Sequence, residues 1–578
     1  MSLTTARSRA PAWLRDIPPV TLLLVVAGRL YARALDVPWY FDDYSVLVDN
    51  PTIRSLSRAL EGSLQPRGLA FLSFAAGNAF FGPDAAAAHA VNVGVHLTTT
   101  VLVYAVLRTL SPGSRLPAFG GALLFAVHPL QTQAVLYAVQ RMASLAALWF
   151  VLAILLFLHA RRLATVGSAW TPRHLALYVG ALLAAAAAFF TKQNTVVFPA
   201  AFLAADLLFA PPGLRARARV AYHAPFFALA SLLALREVLP VLVAAGPGGG
   251  GSSLVRSFDW FLVGYTRPGE AILETTPLRY EVTQLSVLWE YLRLVVAPWG
   301  QSFDHGYPLA REYLTVRNIA AALGLAALVA VALRARRRAP FLSLGIVLFL
   351  LGLSVESVFP LDVMVEHRVY LSMPGVSLAC VEVLRRIRRP GVAAAAIAAG
   401  SIALAGLTLH RVELWTRPIA LFENDLGARP GNPRLWALLG ESRQEHGDLT
   451  GAAAAFSSAL ELHPQYPQAM VDLAGIRATE GRPDEAERLY RRALGLVPGF
   501  PAARRALGIV LMRQQRLEEA LQEFSTATRM NPKDVRSLYF EARLAHELGD
   551  GARAAVATER LGILDPELAA DVRAAIGR

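Results

Sequence analysis

Two adjacent carboxylates, Asp42 and Asp43, follow the first apolar stretch of the chain in WYFDDYSVLVDNP, residues 39–51. An aspartate in such a position can act as a general base that removes a proton from an attacking hydroxyl or amide. Its neighbour can orient the acceptor, or the two can share a metal ion. The alternative is a solvated loop in which Asp43 or Asp49 caps a short helix. The aromatic residues around the pair are equally typical of a membrane interface.

Further polar residues lie inside or beside apolar runs, where burying them is costly. Three of them are cations, Arg141, Lys192 and Arg368, which together could bind a phosphate group. The other candidate site residues are His128, Gln140, Asp304, His305, Tyr307, Glu366 and His367. Each cation could equally well extend its charged end to the membrane interface or form an ion pair, instead of binding a phosphate. A three-histidine metal site is conceivable, but the histidine spacing gives it no specific support, and a divalent metal remains an open question.

The composition indicates a membrane protein. Of the 578 residues, 55% are hydrophobic and 17% are charged, and the mean hydropathy is +0.42; a soluble globular chain is far more polar. The net charge of +13 comes almost entirely from arginine, since Lys192 and Lys533 are the only lysines. The arginines form short clusters between apolar runs, which favours cytoplasmic membrane loops over nucleic acid as the reason for the charge. The single cysteine, Cys380, excludes an intrachain disulfide.

The C-terminal part of the chain is polar and periodic. Prolines recur at a spacing of 34 residues, at Pro430, Pro464, Pro498, Pro532 and Pro566. Within the first full unit, the spacing of a tetratricopeptide repeat is held by Trp436, Leu439, Gly440, Ala452, Phe456, Ala459 and Pro464. In the fourth unit Glu541 and Thr558 replace usually apolar residues, which is typical of a C-terminal cap. Such repeats bind peptides or proteins in a concave groove, with a rigid spacer or a dimerisation surface as the alternative.

The arginine clusters orient the apolar runs, because positively charged loops stay in the cytoplasm. If all clusters are cytoplasmic, the N-terminus is inside and the chain has about eleven spans. The predicted spans are 18–35, 88–108, 117–134, 142–160, 174–190, 195–210, 219–239, 316–333, 341–359, 370–384 and 391–409. The run 284–298 is interpreted as re-entrant or lying in the interface. The Asp42 loop, the segment 365–371 and the repeats then share the outer face.

These patterns predict an all-α chain in three parts. Residues 1–409 form a polytopic membrane domain of about eleven transmembrane helices. Residues 410–431 form a linker and half-repeat, and residues 432–578 form an α-solenoid of tetratricopeptide repeats. The polar groups from distant parts of the chain that converge on one side of the membrane domain favour a site over a passive membrane anchor.

The chain resembles the GT-C glycosyltransferases, specifically the transmembrane and tetratricopeptide-repeat protein O-mannosyltransferases and their bacterial relatives. The resemblance runs from about residue 17 to 566. It rests on the order of FDDYSVLVDNP, HPLQTQAVLYAVQRMASLAALWF, TKQNTVVFP, EHRVYLSMPGVSL and the repeats. The sequences VQRMASL and EHRVYL fit the bacterial branch better than the animal one. The identity of the transferred sugar is therefore left open.

The resemblance implies an inverting transfer of a sugar, mannose or another hexose, from a polyprenyl-phosphate donor to a hydroxyl acceptor. By match, Asp42 and Asp43 carry the catalytic role, with Asp42 favoured as the base and Asp43 positioning or sharing it; the sequence leaves open which of the two is the base. The cations would stabilise the departing phosphate, and the repeats would recruit a protein acceptor. The expected location is the bacterial inner membrane, with the repeats on the periplasmic side. A glycolipid or polysaccharide acceptor and a non-enzymatic scaffold are the alternatives.

Overall fold

The computed structural model describes residues 15–164, 170–209, 216–244, 277–358 and 362–576. Within these ranges the regular structure is helical throughout. The described chain divides into two compact units, one up to Leu421 and one from Phe422 onward. Arg7 and Arg9, which oriented the first predicted span, lie outside the described residues. The last apolar helix continues past residue 409 and ends at Trp415.

Eight helical segments in the described part of the first unit are long and apolar enough to cross a membrane. They are Ile17–Asp36, Ala85–Leu110, Ala138–Leu163, Pro172–Thr191, Ala216–Leu239, Val316–Ala335, Pro340–Val358 and Pro390–Trp415. Each coincides with a predicted span. The chain thus combines a helical unit of membrane-protein composition with a second, more polar helical unit.

The other three predicted spans are shorter helices, Arg115–Val127, Phe198–Phe209 and Met373–Arg386. At 1.5 Å per residue, 12 to 14 residues reach only about 20 Å, less than the hydrocarbon core. Pro129 follows the end of the first of them, where it cannot continue the hydrogen-bond ladder. Among the described residues, eight of the eleven predicted spans are thus helices long enough to cross a membrane alone, and the other three are shorter helices.

Two helices of the first unit differ from the sequence prediction. Gly68–Phe81 is an apolar helix that was not predicted as an element. Pro277–Val296 is one uninterrupted helix of 20 residues, so the chain does not turn back between residues 284 and 296. Its charged residues keep this helix outside the group of eight. An orientation along the membrane interface stays a prediction.

The segment 366–371 is positioned by a close backbone contact between the helix that follows it and the helix Pro340–Val358. Met373–Arg386 packs against Pro340–Val358, and a Cβ atom on Gly375 would lie 2.4 Å from the carbonyl oxygen of Gly345. Such an approach is possible only without a side chain. One step further on, Ser372 Oγ donates to the carbonyl oxygen of Phe349 at 3.0 Å. The close packing fixes the turn that carries Arg368 against the helix that carries Glu356.

The second unit is a stack of helix pairs, as the 34-residue spacing predicts. Its helices from the first full repeat onward are Pro433–Glu445, Leu449–Leu462, Pro467–Thr479, Pro483–Leu496, Pro501–Arg513, Leu517–Met530, Val535–Glu547, Gly551–Leu564 and Pro566–Ile576. Glu541 is buried and accepts hydrogen bonds from Ser525 Oγ and Thr528 Oγ1, both at 2.7 Å. The acidic residue in the degenerate fourth unit is therefore satisfied by hydroxyls of the preceding repeat.

Gly440→Ala is expected to destabilise the repeat unit. A Cβ atom at Gly440 would lie 2.7 Å from the ring of Phe456, which is fully buried. Overpacking of this kind costs about 1–3 kcal/mol. Hydrogen exchange of Pro433–Glu445 in the intact protein should show faster exchange in the variant. Gly495→Ala is the matched control, because Gly495 is exposed with open space around it; equal exchange in both variants would contradict the prediction.

Candidate functional site

The acidic pair lies on a short turn after the first apolar segment. The backbone of Phe41 has a φ of 33°, in a region that non-glycine residues rarely adopt. Asp43 closes this turn, since its Oδ2 accepts the backbone N–H of Tyr40 at 3.0 Å. Its Oδ1 accepts the backbone N–H of Val139 at 2.7 Å. Asp43 therefore joins the turn to the segment that begins the helix Arg141–Leu163.

Asp43 is fully buried, and burial raises its pKa to about 8. The backbone hydrogen bonds from Tyr40 and Val139 oppose this rise, and the charge of Asp42 adds to it. Neither Asp43 nor Asp49 caps a helix with its side chain, so the capping alternative is wrong. With both oxygens used on backbone amides, Asp43 is suited to positioning the turn.

Asp42 is the partly exposed member of the pair. Its backbone N–H donates to Tyr137 Oη at 2.9 Å. Burial and the two nearby carboxylates raise the pKa of Tyr137 well above its usual value, and the Tyr137 hydroxyl also hydrogen-bonds the Asp42 side chain. The phenol therefore keeps its proton and orients Asp42. Tyr137 was missed as a site residue, because a tyrosine beside an apolar run is unremarkable in sequence.

The stability of this turn is expected to depend on pH through Asp43. Its pKa in the folded chain lies above that of an unfolded aspartate, so the folded state holds an extra proton between about pH 4 and 8. Stability should fall as pH rises through this window, by up to about 1.4 kcal/mol per pH unit. Thermal unfolding in detergent should show a shallower pH slope for Asp43→Asn than for Asp49→Asn, a change at an exposed position of the same loop. Equal slopes would mean that Asp43 is ionised throughout.

An aromatic cluster brings three other segments to the acidic turn. It consists of Tyr40, Tyr137, Phe303 and Trp415, with ring centroids 5.0 to 6.2 Å apart. Tyr40 Oη also donates to the carbonyl oxygen of Trp415 at 2.6 Å. The cluster fixes the loop around residue 303 and the end of the last apolar helix beside Asp42.

Arg141 is positioned for a structural role. Its Nε donates to Asn92 Oδ1 at 2.7 Å, and its two terminal nitrogens donate to the carbonyl oxygens of Ser73 and Ala88. The guanidinium also lies 4.3 Å from the ring centroid of Phe74. With 1% exposure and three protein acceptors, Arg141 gives no geometric support to the predicted phosphate contact. Gln140 lies partly buried on the turn just before it.

Glu366 organises the loop at 300–306. It accepts hydrogen bonds from Gln301 Nε2 at 2.8 Å, from the backbone N–H of Ser302 at 2.7 Å and from His305 Nε2 at 3.0 Å. Burial alone would raise its pKa, but the His305 contact and nearby positive charge hold that pKa below the usual value. Asp304 Oδ1 accepts the backbone N–H of Gly306 at 2.7 Å. These predicted site residues therefore shape a loop.

The two remaining candidates in this part of the chain have local partners. His128 Nε2 donates to the carbonyl oxygen of Val295 at 3.0 Å, and its Nδ1 accepts the backbone N–H of Leu130. Tyr307 pairs with Arg317, whose guanidinium lies 5.6 Å from the tyrosine ring centroid. Among the residues that the structure describes, no group of three or more His, Cys, Asp or Glu side chains could hold a metal ion. The three-histidine metal site therefore finds no support there.

Lys192 and Arg368, 176 residues apart in sequence, meet at one carboxylate. Lys192 Nζ lies 2.6 Å from Glu356 Oε1, and Arg368 Nε lies 3.4 Å from Glu356 Oε2. Arg67 is near enough for its charge to act on both Lys192 and Glu356. Arg67, Lys192, Arg368 and Glu356 are called the cationic cluster below. These four residues carry a net charge of +2, and the carboxylate of Asp362 also acts on Arg368; positive charge still exceeds negative charge there, which suits a phosphate group.

The cationic cluster and the acidic turn are joined through one helical turn. His367, next to Arg368, receives two contacts from Gln133 Oε1, at 2.8 Å to its backbone nitrogen and 3.2 Å to Nδ1. Gln133 and Tyr137 lie four residues apart across the short helix Thr132–Leu136, a spacing of about 6 Å between Cβ atoms. A run of contacts from Asp42 through Tyr137, Gln133 and His367 thus connects the partly accessible carboxylate with the cationic cluster.

The molecule is therefore a helical protein with membrane-type helices, a polar site formed by distant segments and a tetratricopeptide-repeat unit. The tetratricopeptide repeat family matches residues 437–501 and 477–544. Protein O-mannosyl-transferase TMTC1 of Mus musculus is 37% identical over 142 residues, which are 22% of this chain and 15% of that protein. The human protein of the same name is 32% identical over 168 residues, 26% of this chain and 19% of that protein.

Other matches are also partial. The CTR9 homolog of Arabidopsis thaliana is 34% identical over 108 residues, 18% of this chain and 10% of that protein. A crystal structure of MamA is 17% identical with a TM-score of 0.25, and the match covers 26% of this chain and 87% of MamA. The chain spans less than a fifth of the length of each curated relative named here.

Proposed function

We propose that this chain is a membrane glycosyltransferase that moves a hexose from a polyprenyl-phosphate donor to hydroxyl groups of proteins. The reaction would take place at the outer face of a bacterial inner membrane. The donor is a lipid whose phosphate lies at the interface, so a site at the edge of the helical unit suits it. The partial similarity to proteins named as O-mannosyl-transferases supports this class of activity.

The proposed chemistry is an inverting displacement at the anomeric carbon. Asp42 accepts the proton of the acceptor hydroxyl as the oxygen attacks. The new bond between carbon and the acceptor oxygen forms as the bond between that carbon and the phosphate oxygen breaks. The polyprenyl phosphate leaves with the electron pair and gains negative charge. The cationic cluster stabilises that charge where it develops.

The observation that carries the proposal is the run of contacts that connects two unlike groups, a carboxylate and a cationic cluster. Asp42 is the carboxylate of the pair with access to a substrate, held by Tyr137. The cationic cluster has a net charge of +2 and is linked to the same short helix through Gln133. A base beside a phosphate site is what a transfer from a lipid phosphate to a hydroxyl requires.

The repeat unit suits recruitment of a protein acceptor. Tetratricopeptide repeats present extended concave surfaces for partners, and a chain that glycosylates proteins must hold a large acceptor near its site. The assignment of protein as the acceptor rests on this unit. A chain that glycosylates lipids or polysaccharides would use the repeats to bind other proteins.

The test compares the envelope glycoproteome of cells carrying the intact gene with that of a deletion strain. Loss of hexose-modified Ser or Thr peptides in the deletion, restored by the intact gene, supports the proposal. If protein glycans persist while lipid or polysaccharide glycans change, the acceptor is a lipid or a polysaccharide. If no glycan changes in the deletion, a scaffold role replaces the enzyme.

A further inference from the structure

The orientation of the Gln133 amide is fixed by its surroundings. Gln133 is 2% exposed, and its Nε2 donates to the carbonyl oxygen of Phe303 at 2.8 Å. A carbonyl oxygen can only accept, so the amide nitrogen must face it. The amide oxygen Oε1 therefore faces His367, where it accepts the backbone N–H at 2.8 Å and contacts Nδ1 at 3.2 Å.

This amide selects one tautomer of His367. An amide oxygen cannot donate, so Nδ1 carries the proton and Nε2 keeps its lone pair. Burial, with the positive charges of the cationic cluster, lowers the pKa of His367 well below its usual value. The ring is partly buried, and its Nε2 has no hydrogen-bond partner among the residues that the structure describes. A neutral acceptor thus lies beside a group of cations.

The phosphate diester of the donor cannot satisfy this acceptor. A phosphate diester offers only oxygen acceptors, and a lone pair at Nε2 would repel them. The cations whose charges act on His367 bind such oxygen acceptors, so a bound phosphate leaves Nε2 without a donor. A hydroxyl carried next to the phosphate can donate to Nε2, and a sugar linked to that phosphate carries such hydroxyls.

We propose that His367 Nε2 accepts a hydrogen bond from a hydroxyl of the donor sugar, next to the phosphate held by the cationic cluster. The proposal rests on the proposed function, because it names the part of the donor that this residue binds. His367 is then a residue that distinguishes the sugar-bearing lipid from the lipid phosphate left after transfer. Gln133 positions it by fixing the tautomer.

The test uses two probes, undecaprenyl phosphate and mannosyl-phosphoryl-undecaprenol, with the purified full-length protein in detergent at about pH 8, where the monoester has lost its second proton. His367→Phe keeps the planar ring and removes the acceptor. This variant should lower the affinity for the mannosyl lipid about tenfold, which corresponds to the loss of one hydrogen bond. It should change the affinity for the sugar-free lipid less than twofold. His367→Gln places an amide oxygen near the same point and should restore most of the affinity. Lys192→Met should weaken the binding of both lipids, and that of undecaprenyl phosphate more, because its phosphate carries the second negative charge.

Each other outcome has a definite meaning. If His367→Phe lowers the affinity for both lipids equally, the proposal is overturned, and His367 either supports the structure or contacts the phosphate. Unchanged affinity for both lipids with lost turnover also overturns it, because the imidazole would then act as a base. A wild-type protein that binds neither lipid refutes the proposed donor, and the inference falls with it. If the wild-type protein binds only the sugar-free lipid, the phosphate site is supported and the proposed sugar contact is refuted.

Discussion

Asp42→Asn is expected to lower the transfer rate by about 10²–10⁴-fold, the usual contribution of a positioned general base. The amide cannot accept the proton of the acceptor hydroxyl, yet it has nearly the shape of the carboxylate. The backbone N–H of Asp42 would still donate to Tyr137 Oη. Binding of undecaprenyl phosphate should therefore stay within twofold of the wild type. The measurement is single-turnover transfer of hexose from a polyprenyl-phosphate donor, with binding measured in parallel.

Two other changes in the same loop separate chemistry from structure. Asp49→Asn alters an exposed residue and should leave the rate unchanged. Asp43→Asn should lower the rate through position, because one amide oxygen cannot accept from both Tyr40 and Val139. The lower rate of Asp43→Asn should therefore be accompanied by lower thermal stability. Asp42→Asn, by contrast, should unfold like the wild type. An Asp42→Asn protein with full activity would refute the assignment of the base.

The acidic pair could be predicted because its members are neighbours in sequence and no folding is needed to bring them together. Their different roles could not be predicted, because they depend on partners far along the chain. The backbone N–H of Val139 lies 96 positions from Asp43. The hydroxyl of Tyr137 lies 95 positions from Asp42. Only the folded chain shows that one carboxylate is fully used and the other accessible.

The cationic residues show why charge in an apolar run is an ambiguous signal. Arg141 and Lys192 were equally conspicuous, but Arg141 is satisfied by backbone carbonyls, which no side-chain pattern reports. Glu356 was a detectable signal, as a single acid within the apolar run of Pro340–Val358. Arg67 stands in a polar stretch, so its place in the cationic cluster could not be inferred from sequence.

The fold was predictable where a pattern repeats and less so where a helix ends. The 34-residue spacing in the second unit determines both the helix pairs and their packing, because small and large residues must alternate between neighbours. In the first unit hydropathy located the apolar helices but not their lengths. Pro129 limits the helix Arg115–Val127, and the polar residues of Pro277–Val296 concealed an unbroken helix.

Lys192→Met is expected to lower the transfer rate by about 10²-fold, as removal of one preorganised charge-stabilising group does elsewhere. The donor phosphate diester has one negative charge, and the leaving phosphate gains a second as the sugar departs. The surplus of positive charge in the cationic cluster therefore stabilises the end of the reaction more than its start. Removing Lys192 leaves Glu356 paired with Arg368 and reduces the net charge to +1. The rate should fall more than the affinity for the donor.

Lys192→Arg is the matched control, since it keeps the charge and can still reach Glu356, although an ammonium and a guanidinium hold a phosphate differently. It should retain more activity than Lys192→Met, and it should keep the affinity for undecaprenyl phosphate. Rates and affinities are compared at two salt concentrations, because a partly buried cation is screened less than one on the surface. If Lys192→Met lowered the donor affinity as much as the rate, the cluster would bind the phosphate equally well before and after transfer. If both variants were fully active, the charge that stabilises the leaving phosphate would have to come from another part of the chain.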